Sequence, residues 1–570
     1  MRVRSVIPIL VLALVVRVYW AATKTGAIEN EGAVYASLAA SILAGKGYVA
    51  ITGGGTFFLF PPLYPLLIGA LSPFAPDLET AGRAVSILSG ALMTVPVFLI
   101  AATLYTPPVA CIAALLIALH PLLVGYSAAV YSEPTYLLFL MMAIYFALRA
   151  QQLRSYVPSA LSGVAFALAC LTRLEAFVLP FAAVPIIVLV NLRKLRRALL
   201  ASGILLTTFI LLLLPYIVFL SVHTGQIRVE AKSPIFFALL QRMASGMSYR
   251  EAAYGIDSDL REVGVYLKPP VQIVQSTTVT RSDLLSYLAA AGPSNIAAVV
   301  RALIDRRVGS ILLAFLVAFG LLRTPWDRER ISRELLLLAM FVALLGALLA
   351  VQWFPTRYVL PLLSLLIVWA AKGIDELTNW VMGTSASLFV GPRALLMPVW
   401  ATSRTLLVVA LLGVAFTGAR YESELTQGYV SERPIKDAGL WLGNAAPGPK
   451  MIMDVAAIIP FYAGGTLAVF PYCDSATTLK YIEKKKPDFI ILASHTSDAR
   501  PYLRAWLEMG IPDPRAIPIY RTARSDGGQI VIYQWGSGSE SSEGAGAGDR
   551  LHAARLLARA AGAPSTFLSD

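Results

Sequence analysis

Long apolar runs occupy most of the first 420 residues of the chain, and short polar connections separate them. A helix needs about 20 apolar residues to cross a bilayer, and most of the runs approach that length. They predict about eleven transmembrane helices, or thirteen if the broken apolar stretch 380–400 forms an extra pair instead of an interfacial or re-entrant segment. The predicted spans lie near residues 6–23, 84–104, 108–124, 135–149, 156–171, 175–192, 198–220, 308–322, 334–352, 358–372 and 404–419.

The pattern changes beyond residue 421, where short β-rich runs alternate with helical ones. We expect strands at 450–454, 467–470, 488–493 and 529–535, with helices at 477–485 and 502–509, which together describe a small α/β domain. The sequence thus divides into a membrane domain over 1–420, an α/β domain over 421–535 and a Gly/Ser-rich tail over 536–570 that we expect to be disordered. Within the membrane domain, residues 24–83 and 223–307 are predicted external loops.

The composition supports a polytopic α-helical membrane protein. Hydrophobic residues make up 57% of the 570 residues, charged residues only 14%, and the mean hydropathy is +0.68, values that exclude an ordinary soluble protein. The formal net charge is +13, but much of the Lys/Arg excess lies in short connections between spans. Such an excess marks the cytoplasmic side of a membrane, so it indicates topology and not a nucleic-acid partner. We expect a cytoplasmic N-terminus and an extracytoplasmic C-terminal domain.

Two acids stand at the start of an amphipathic stretch in the first predicted loop. Glu29 and Glu31 precede apolar residues spaced along one helical face from Val34 to Leu43, which predicts a helix of about three turns. The free N–H groups and the dipole at a helix start favour an ionised carboxylate, so an acid there is a candidate proton acceptor. Alternatively, Asn30 is only a helix cap and the two acids only complement the dipole.

The order of residues in this loop resembles that of glycosyltransferase family 39, the protein O-mannosyltransferases and the aminoarabinose transferases of lipid A. The shared features are an acid four residues before Tyr35, the Gly-x-Gly-Tyr segment 45–48 and the Pro-Pro-Leu-Tyr-Pro segment 61–65. The resemblance implies the membrane-embedded glycosyltransferase-C fold, with about eleven transmembrane helices here, and a sugar donor carried on polyprenyl or dolichyl phosphate. It implies that Glu31, where the family usually has Asp, is the catalytic base.

The loop also departs from the family pattern. Gly32 stands where the family has a second acid, which leaves Glu29 as the nearby substitute. Leu59 and Phe60 stand where the aminoarabinose enzymes carry Glu-Lys, which argues against an aminoarabinose donor.

Three further motifs resemble the family, each with a structural alternative. Glu133, in Ser-Glu-Pro-Thr, resembles the second acidic position, or it only opens a helix. Arg173 and Glu175 resemble the Arg-Pro-Glu turn with Leu in place of Pro, or they form a bridge between helices. Arg357 and Tyr358 resemble the Arg-Tyr-x-x-Pro opening of a late span, or Arg357 only anchors that span at the membrane surface.

The predicted topology places these charged residues on the outer side, where one cavity could gather them. Glycosyl transfer requires a base for the acceptor hydroxyl and cations for the charge that develops on phosphate. The candidate catalytic residues are Glu31 and Glu29. Arg17, inside the first span, either faces a polar cavity or reaches the headgroups. The candidate substrate-binding residues are Arg17, Tyr35, Tyr64, Arg83, Glu133, Arg173, Glu175, Arg357 and Tyr358.

The resemblance predicts an inverting glycosyltransferase of the plasma (inner) membrane of a bacterium or archaeon. It would move a mannose-like or other hexose or pentose sugar from its lipid phosphate to a hydroxyl group on a protein, lipid or glycan at the outer face. The four His and three Cys residues show no metal-binding spacing, so the sequence implies no metal or other cofactor. The rival hypothesis is a polytopic transporter or flippase for a polar or lipid-linked solute.

Overall fold

The computed structural model describes residues 3–23, 26–305, 308, 310–349, 356–388, 432–524 and 526–536. The predicted span 404–419, residues 389–400 of the broken apolar stretch and the tail beyond 536 lie outside the described residues.

The membrane domain is helical, as predicted. Its helices are α1 (Ile7–Thr23), α2 (Asn30–Leu43), α3 (Leu63–Leu71), α4 (Leu78–Leu92), α5 (Thr94–Leu104), α6 (Pro107–Leu119), α7 (Pro121–Ser127), α8 (Glu133–Ala150), α9 (Val157–Thr172), α10 (Leu179–Val190), α11 (Leu195–Thr224), α12 (Lys232–Ala244), α13 (Tyr249–Tyr254), α14 (Pro270–Ser276), α15 (Arg281–Ile304), α16 (Ser310–Leu322), α17 (Arg328–Leu349) and α18 (Leu360–Leu388).

Six helical stretches among the described residues are long and apolar enough to cross a membrane, or seven if the bent pair α6–α7 is one span. The six are Leu78–Leu104, Glu133–Ala150, Leu192–Thr224, Ser282–Ile304, Arg328–Leu349 and Arg357–Trp380. Shorter apolar helices cover most of the remaining predicted spans, including Ile7–Thr23 and Val157–Thr172. The predicted spans therefore fall on helices wherever the structure describes them, while the predicted number of eleven is not confirmed.

The segment 223–307, predicted as a loop, contains four helices, and the last of them, α15, has the length of a span. The segment that leads to α15 is tied to the end of α11, because the Gln275 side chain donates to the carbonyl of Thr224. Midway along α15, the Asn295 side chain donates to the carbonyl of Leu349, at the end of α17. The first half of α15 therefore lies at the end of the bundle where α11 and α17 end. We call it the loop end, because residues 26–62 and 225–280 lie there.

The C-terminal domain is a five-stranded sheet with helices packed against it. Its strands are β1 (Met451–Asp454), β2 (Thr466–Val469), β3 (Phe489–Ala493), β4 (Ala516–Ala523) and β5 (Gln529–Trp535), in the order β2-β1-β3-β5-β4. Strands β1, β2 and β3 are parallel, whereas β5 runs antiparallel to both β3 and β4. Its helices are α19 (Arg433–Ala445), α20 (Ile458–Tyr462), α21 (Ser475–Lys485) and α22 (Leu503–Met509).

Four of these strands coincide with the predicted ones, and β4 was missed. β4 contains Pro518, carries a register shift beside it and pairs only with β5 at the edge of the sheet. Proline is confined to edges and irregularities of sheets because it cannot donate to the ladder, and this weakens the sequence signal of such a strand.

One hydrophobic cluster joins the two domains. Ile28 and Tyr35 of the first loop are buried in the same cluster as Ile435, Ile458 and Ile459 of the C-terminal domain. The domain therefore packs on the loop end of the helical bundle, directly beside helix α2.

Candidate active site

Helix α2 places the Glu31 carboxylate beside Arg357, a residue that is far from it in the sequence. The predicted helix is present, but it begins at Asn30, so Asn30 is its first residue and not its cap, and Glu29 precedes it in extended conformation without capping it through its side chain. Glu31 lies in the first turn, where its Oε2 is 2.5 Å from Nη2 of Arg357. The Tyr35 hydroxyl, one turn along the same helix, donates to Glu31 Oε1 at 3.4 Å. Glu31 is thus part of a tertiary ion pair and not only a complement to the helix dipole.

A second acid lies between two arginines. Glu133 is the first residue of α8, with Pro134 after it, and its side chain is almost fully buried. Its Oε1 is 2.7 Å from Nη1 of Arg173 and 3.4 Å from Nε of Arg357. The other oxygen, Oε2, is buried and has no hydrogen-bond partner among the described residues. Arg357 therefore bridges the two acids that the sequence singled out, Glu31 and Glu133.

A third acid and a third cation extend the network. Glu175 Oε1 is 3.4 Å from Nη2 of Arg173 and 3.3 Å from Nζ of Lys232. The ring of Tyr358 lies 5.1 Å from the Arg173 guanidinium carbon, 5.7 Å from that of Arg357 and 5.9 Å from Lys232 Nζ. Sequence reasoning missed Lys232, because it is one of many basic residues in the segment 223–307 and no motif marks it.

Burial is the main influence on how Glu31 titrates, and the neighbouring charges modify it. Burial raises the pKa of the Glu31 carboxyl above its ordinary value, and the adjacent Arg357 guanidinium opposes that increase. The helix start is therefore not the main influence on this acid. A carboxylate with a raised pKa is a stronger proton acceptor than an exposed one, provided that the pH is high enough to ionise it.

A narrow cavity lies against this network, and its lining combines charged and apolar side chains. Its charged end is formed by Glu133, Arg173, Glu175 and Arg357, with Tyr358 beside them. The rest of the lining is mainly apolar and consists of Tyr136, Leu137, Leu344, Ala347, Leu348, Leu360 and Pro361. Such a cavity suits a ligand that has an anionic head and a hydrocarbon tail.

Two more of the predicted residues lie next to the network. Glu29 accepts a hydrogen bond from the backbone N–H of Val130 at 3.3 Å, two residues before Glu31 in the chain. Tyr64 packs edge-on against the ring of Tyr35, with ring centroids 5.0 Å apart. Its hydroxyl bonds to Ser86 Oγ at 2.7 Å, so it supports the α2 helix and makes no hydrogen bond to the charged groups described above.

Arg83 lies elsewhere, at the contact between the two domains. Its Nη2 is 2.6 Å from Oε1 of Glu79, one turn earlier in α4. The other oxygen of Glu79 is 2.8 Å from Nζ of Lys436 and accepts from the Tyr462 hydroxyl at 2.7 Å. The structure therefore groups Arg83 with a C-terminal-domain contact and not with Glu31.

Arg17 is fully buried in the break between α6 and α7. This helix pair bends by 54°, and Pro121 has no N–H to donate back to the carbonyl of Ile117. The Arg17 guanidinium donates to the carbonyls of Ile117 at 3.1 Å and Ala118 at 2.8 Å, and to Ala13 of its own helix. Arg17 thus donates hydrogen bonds to the free carbonyls of a broken helix. Neither of its two predicted environments, a polar cavity or the lipid headgroups, included these partners. A second narrow cavity is lined by both Arg17 and Glu133.

No group of three or more His, Cys, Asp or Glu side chains within the described ranges could hold a metal ion. The acids of the site instead have cationic partners, since Glu31, Glu133 and Glu175 each lie within 3.4 Å of an arginine or lysine nitrogen.

The helical bundle and the small C-terminal sheet domain form a glycosyltransferase-C-like fold. A family model described as dolichyl-phosphate-mannose-protein mannosyltransferase matches residues 60–221, a range that includes Glu133, Arg173 and Glu175. The resemblance inferred from the loop motifs is therefore confirmed.

Two solved structures are similar over most of the chain. ArnT from Cupriavidus metallidurans bound to undecaprenyl phosphate superposes with a TM-score of 0.55 at 16% identity, covering 93% of this chain and 98% of that one. The archaeal oligosaccharyltransferase AglB from Archaeoglobus fulgidus, in complex with an inhibitory peptide and a dolichol-phosphate, superposes with a TM-score of 0.57 at 13% identity. That match covers 95% of this chain and 75% of AglB. No curated protein sequence matches this chain.

We expect Arg17→Met to destabilise the protein, because the helix break would lose the donors that satisfy its buried carbonyls. Leaving such groups unpaired costs about 1–3 kcal/mol each, so the thermal midpoint in detergent should fall clearly. Arg17→Lys should recover part of the loss.

Arg333→Met is the matched control, since Arg333 is half-exposed and pairs with Glu329 on the surface of α17. It should leave the midpoint unchanged. An Arg17→Met protein with the wild-type midpoint would show that the break does not depend on this guanidinium.

Proposed function

We propose that this protein is an inverting glycosyltransferase that moves a sugar from a polyprenyl- or dolichyl-phosphate carrier to a hydroxyl acceptor. The observation that carries the proposal is the junction of Glu31 and Arg357 at the charged end of a cavity with an apolar remainder. The junction brings a proton acceptor next to a phosphate-binding cation, the two groups that transfer from a lipid phosphate requires.

In this mechanism Glu31 is the general base. The acceptor hydroxyl gives its proton to the Glu31 carboxylate as its oxygen bonds to the anomeric carbon of the sugar. The bond between that carbon and the phosphate oxygen breaks, and the lipid phosphate leaves from the opposite face, which inverts the anomeric centre. Burial and the raised pKa support Glu31 in this role.

Arg173, Arg357 and Lys232 would stabilise the charge that develops on the leaving phosphate. Arginine is suited to this because its planar fork matches two phosphate oxygens at once. The ring of Tyr358, near all three cations, would help to keep them at the head of the cavity.

The apolar part of the cavity would receive the first isoprene units of the carrier. Its leucines at 137, 344, 348 and 360 provide the apolar contacts that a lipid chain needs. The similar structures support this assignment, because ArnT was solved with undecaprenyl phosphate and AglB with a dolichol-phosphate. We propose a mannose-like or other hexose or pentose as the sugar and a protein, lipid or glycan hydroxyl as the acceptor.

We propose that the loop end faces the outside of the plasma membrane and that the N-terminus is cytoplasmic. The support is the distribution of charge at the other end of the bundle, where the positive-inside rule expects basic residues in short connections. The basic residues at or beside those connections are Arg149, Arg154, Arg193, Lys194, Arg196, Arg197, Arg323, Arg328 and Lys372.

We expect Glu31→Gln to lower turnover by roughly 100- to 10,000-fold, the usual contribution of a general base. The variant keeps the size of the side chain but cannot accept the proton, so binding of the lipid carrier should change little. The measurement is release of polyprenyl phosphate from a radiolabelled lipid-linked sugar by purified protein. In the wild type the rate should fall as the pH drops through the raised pKa of Glu31, because only the ionised acid accepts a proton.

Glu29→Gln is the matched control, two residues away in the same loop. If Glu29→Gln is inactive and Glu31→Gln is active, the base is Glu29. If both variants turn over at the wild-type rate, the loop is not the catalytic centre and the transporter hypothesis gains.

We expect Arg357→Ala to weaken binding of undecaprenyl phosphate by roughly 2–4 kcal/mol, because a buried charge-assisted contact is lost. Arg357→Lys should restore only part of it, since an ammonium lacks the planar fork. The same Ala substitution removes the cation that opposes the raised pKa of Glu31, so the acid limb of the rate profile should move to higher pH. Fluorescence titration with the lipid and pH–rate profiles measure the two effects. Wild-type values for both would reassign Arg357 as a structural anchor.

The orientation can be tested with single cysteines in a background without Cys111, Cys170 and Cys473. Met509→Cys, on an exposed position of α22, should react with a membrane-impermeant thiol reagent in intact spheroplasts. Ser155→Cys, in the exposed connection between α8 and α9, should react only after the membrane is opened. The reverse pattern would contradict the proposed orientation.

A further inference from the structure

The C-terminal domain makes several direct contacts with the segment 26–83, which includes Glu31. The Ile28 backbone N–H donates to the Tyr462 hydroxyl at 2.7 Å. The Ala457 N–H donates to the Asn30 side-chain oxygen at 2.7 Å. Further along the loop, the Leu467 N–H donates to the carbonyl of Ile51 at 2.9 Å. The fourth contact is between Glu79 and both Lys436 and Tyr462. The first two bonds involve Ile28 and Asn30, the residues on either side of Glu29, and Asn30 immediately precedes Glu31.

Tyr462 is itself held firmly. Its hydroxyl accepts from Ile28 and donates to Glu79, which is 4% exposed, so both hydrogen-bonding functions are used in a buried place. Helix α19 approaches so closely that a Cβ at Gly439 would lie 2.6 Å from the Cβ of Tyr462. The ring therefore has little freedom to move, and the N–H of Ile28 has a fixed partner.

The same domain also contacts the segment 223–307, which carries Lys232. The Tyr472 N–H donates to the carbonyl of Tyr254 at 2.8 Å. Glu262 accepts from the Tyr481 hydroxyl at 2.8 Å and lies 2.6 Å from Nζ of Lys485. These contacts are made by α21 and by the connection that precedes it, and none of them involves Tyr462. The sheet domain thus connects the two loops that supply the acid and one of the cations.

We propose that the C-terminal domain acts as a brace for the active site, with Tyr462 as the positioning residue that holds the Glu29–Glu31 segment. The inference rests on the proposed function for the meaning of Glu31, but the contacts themselves do not depend on it. Tyr462 touches neither Glu31 nor the cavity lining, and it acts through the backbone of Ile28 at the entry to α2. A displacement of the order of 1 Å at a catalytic group costs about 100-fold in rate, so a brace of this kind has a large effect.

Tyr462→Phe removes only the hydroxyl and keeps the ring against Gly439. We expect kcat to fall roughly 10- to 100-fold while the KM for the lipid-linked sugar stays within about twofold, because Arg173 and Arg357 are not moved. Hydrogen–deuterium exchange of the intact protein should show faster exchange in peptides covering residues 26–36.

Tyr502→Phe is the matched control. Its hydroxyl donates to the carbonyl of Pro471 inside the C-terminal domain, so the variant loses a comparable buried bond without touching the first loop. It should leave kcat and the exchange of residues 26–36 unchanged. Tyr481→Phe tests the contact with the segment 223–307, because it removes the hydrogen bond to Glu262. It should accelerate exchange around residues 254–262 only.

The exchange measurement separates this inference from the proposed function. Unchanged exchange of residues 26–36 in Tyr462→Phe would overturn the brace, whatever the activity. Faster exchange in a protein that transfers no sugar would leave the brace standing and refute the transferase. An equal loss of kcat in Tyr462→Phe and Tyr502→Phe would also overturn the proposal, because the effect would then be general destabilisation.

Discussion

The site depends on one electrostatic constraint, which is that a charge removed from water must be paired. Moving an ion from water into a protein interior costs several kcal/mol, and an opposite charge in hydrogen-bonding geometry offsets that cost. Glu31, Arg357, Glu133, Arg173 and Glu175 satisfy the constraint as a chain in which each charge contacts the opposite sign. Removing one member would deprive at least one buried neighbour of an ion-pair partner, so the five side chains support one another. A catalytic site gains from this arrangement because charged groups that are fixed in advance need no reorganisation during the reaction.

The same chain of charges explains how one site could contain a general base and also bind a phosphate. Arg357 neutralises Glu31, yet burial keeps the pKa of that acid above its ordinary value. A phosphate arriving at the head of the cavity would share the guanidinium with Glu31 and draw part of its positive charge away. The carboxylate would then hold a proton more readily at the stage when the acceptor hydroxyl must lose one. In the proposed mechanism, a single arginine would couple base strength to donor binding, which suits a reaction that should proceed only when the donor is in place.

The sequence predicted those parts of the structure that depend on local pattern. The α2 helix and its two acids follow from residue spacing, and Glu133, Arg173 and Arg357 follow from short motifs at the ends of spans. What it missed depends on distant contacts: Lys232 joins the site only because the segment 223–307 folds into helices that bring it to Glu175. Tyr462 contacts Ile28 through a hydroxyl, which no periodicity marks. The α15 helix was not predicted, because Gly292, Pro293 and Asn295 interrupt its apolar pattern.

The buried arginines show why position inside a membrane protein is not enough to assign a role. Arg17 is the most buried of them, and its partners are backbone carbonyls released by the break at Pro121. Those carbonyls are fixed parts of the backbone. A ligand that drew the guanidinium away would therefore leave buried polar groups without hydrogen-bond partners. Arg173 and Arg357 contact carboxylates at the wall of a cavity instead. A phosphate oxygen could contact these guanidinium groups at a distance similar to that of a carboxylate oxygen, so the arginines would stay paired when it binds. The partner of each arginine, more than its depth, therefore decides whether it holds the fold together or is available to a substrate.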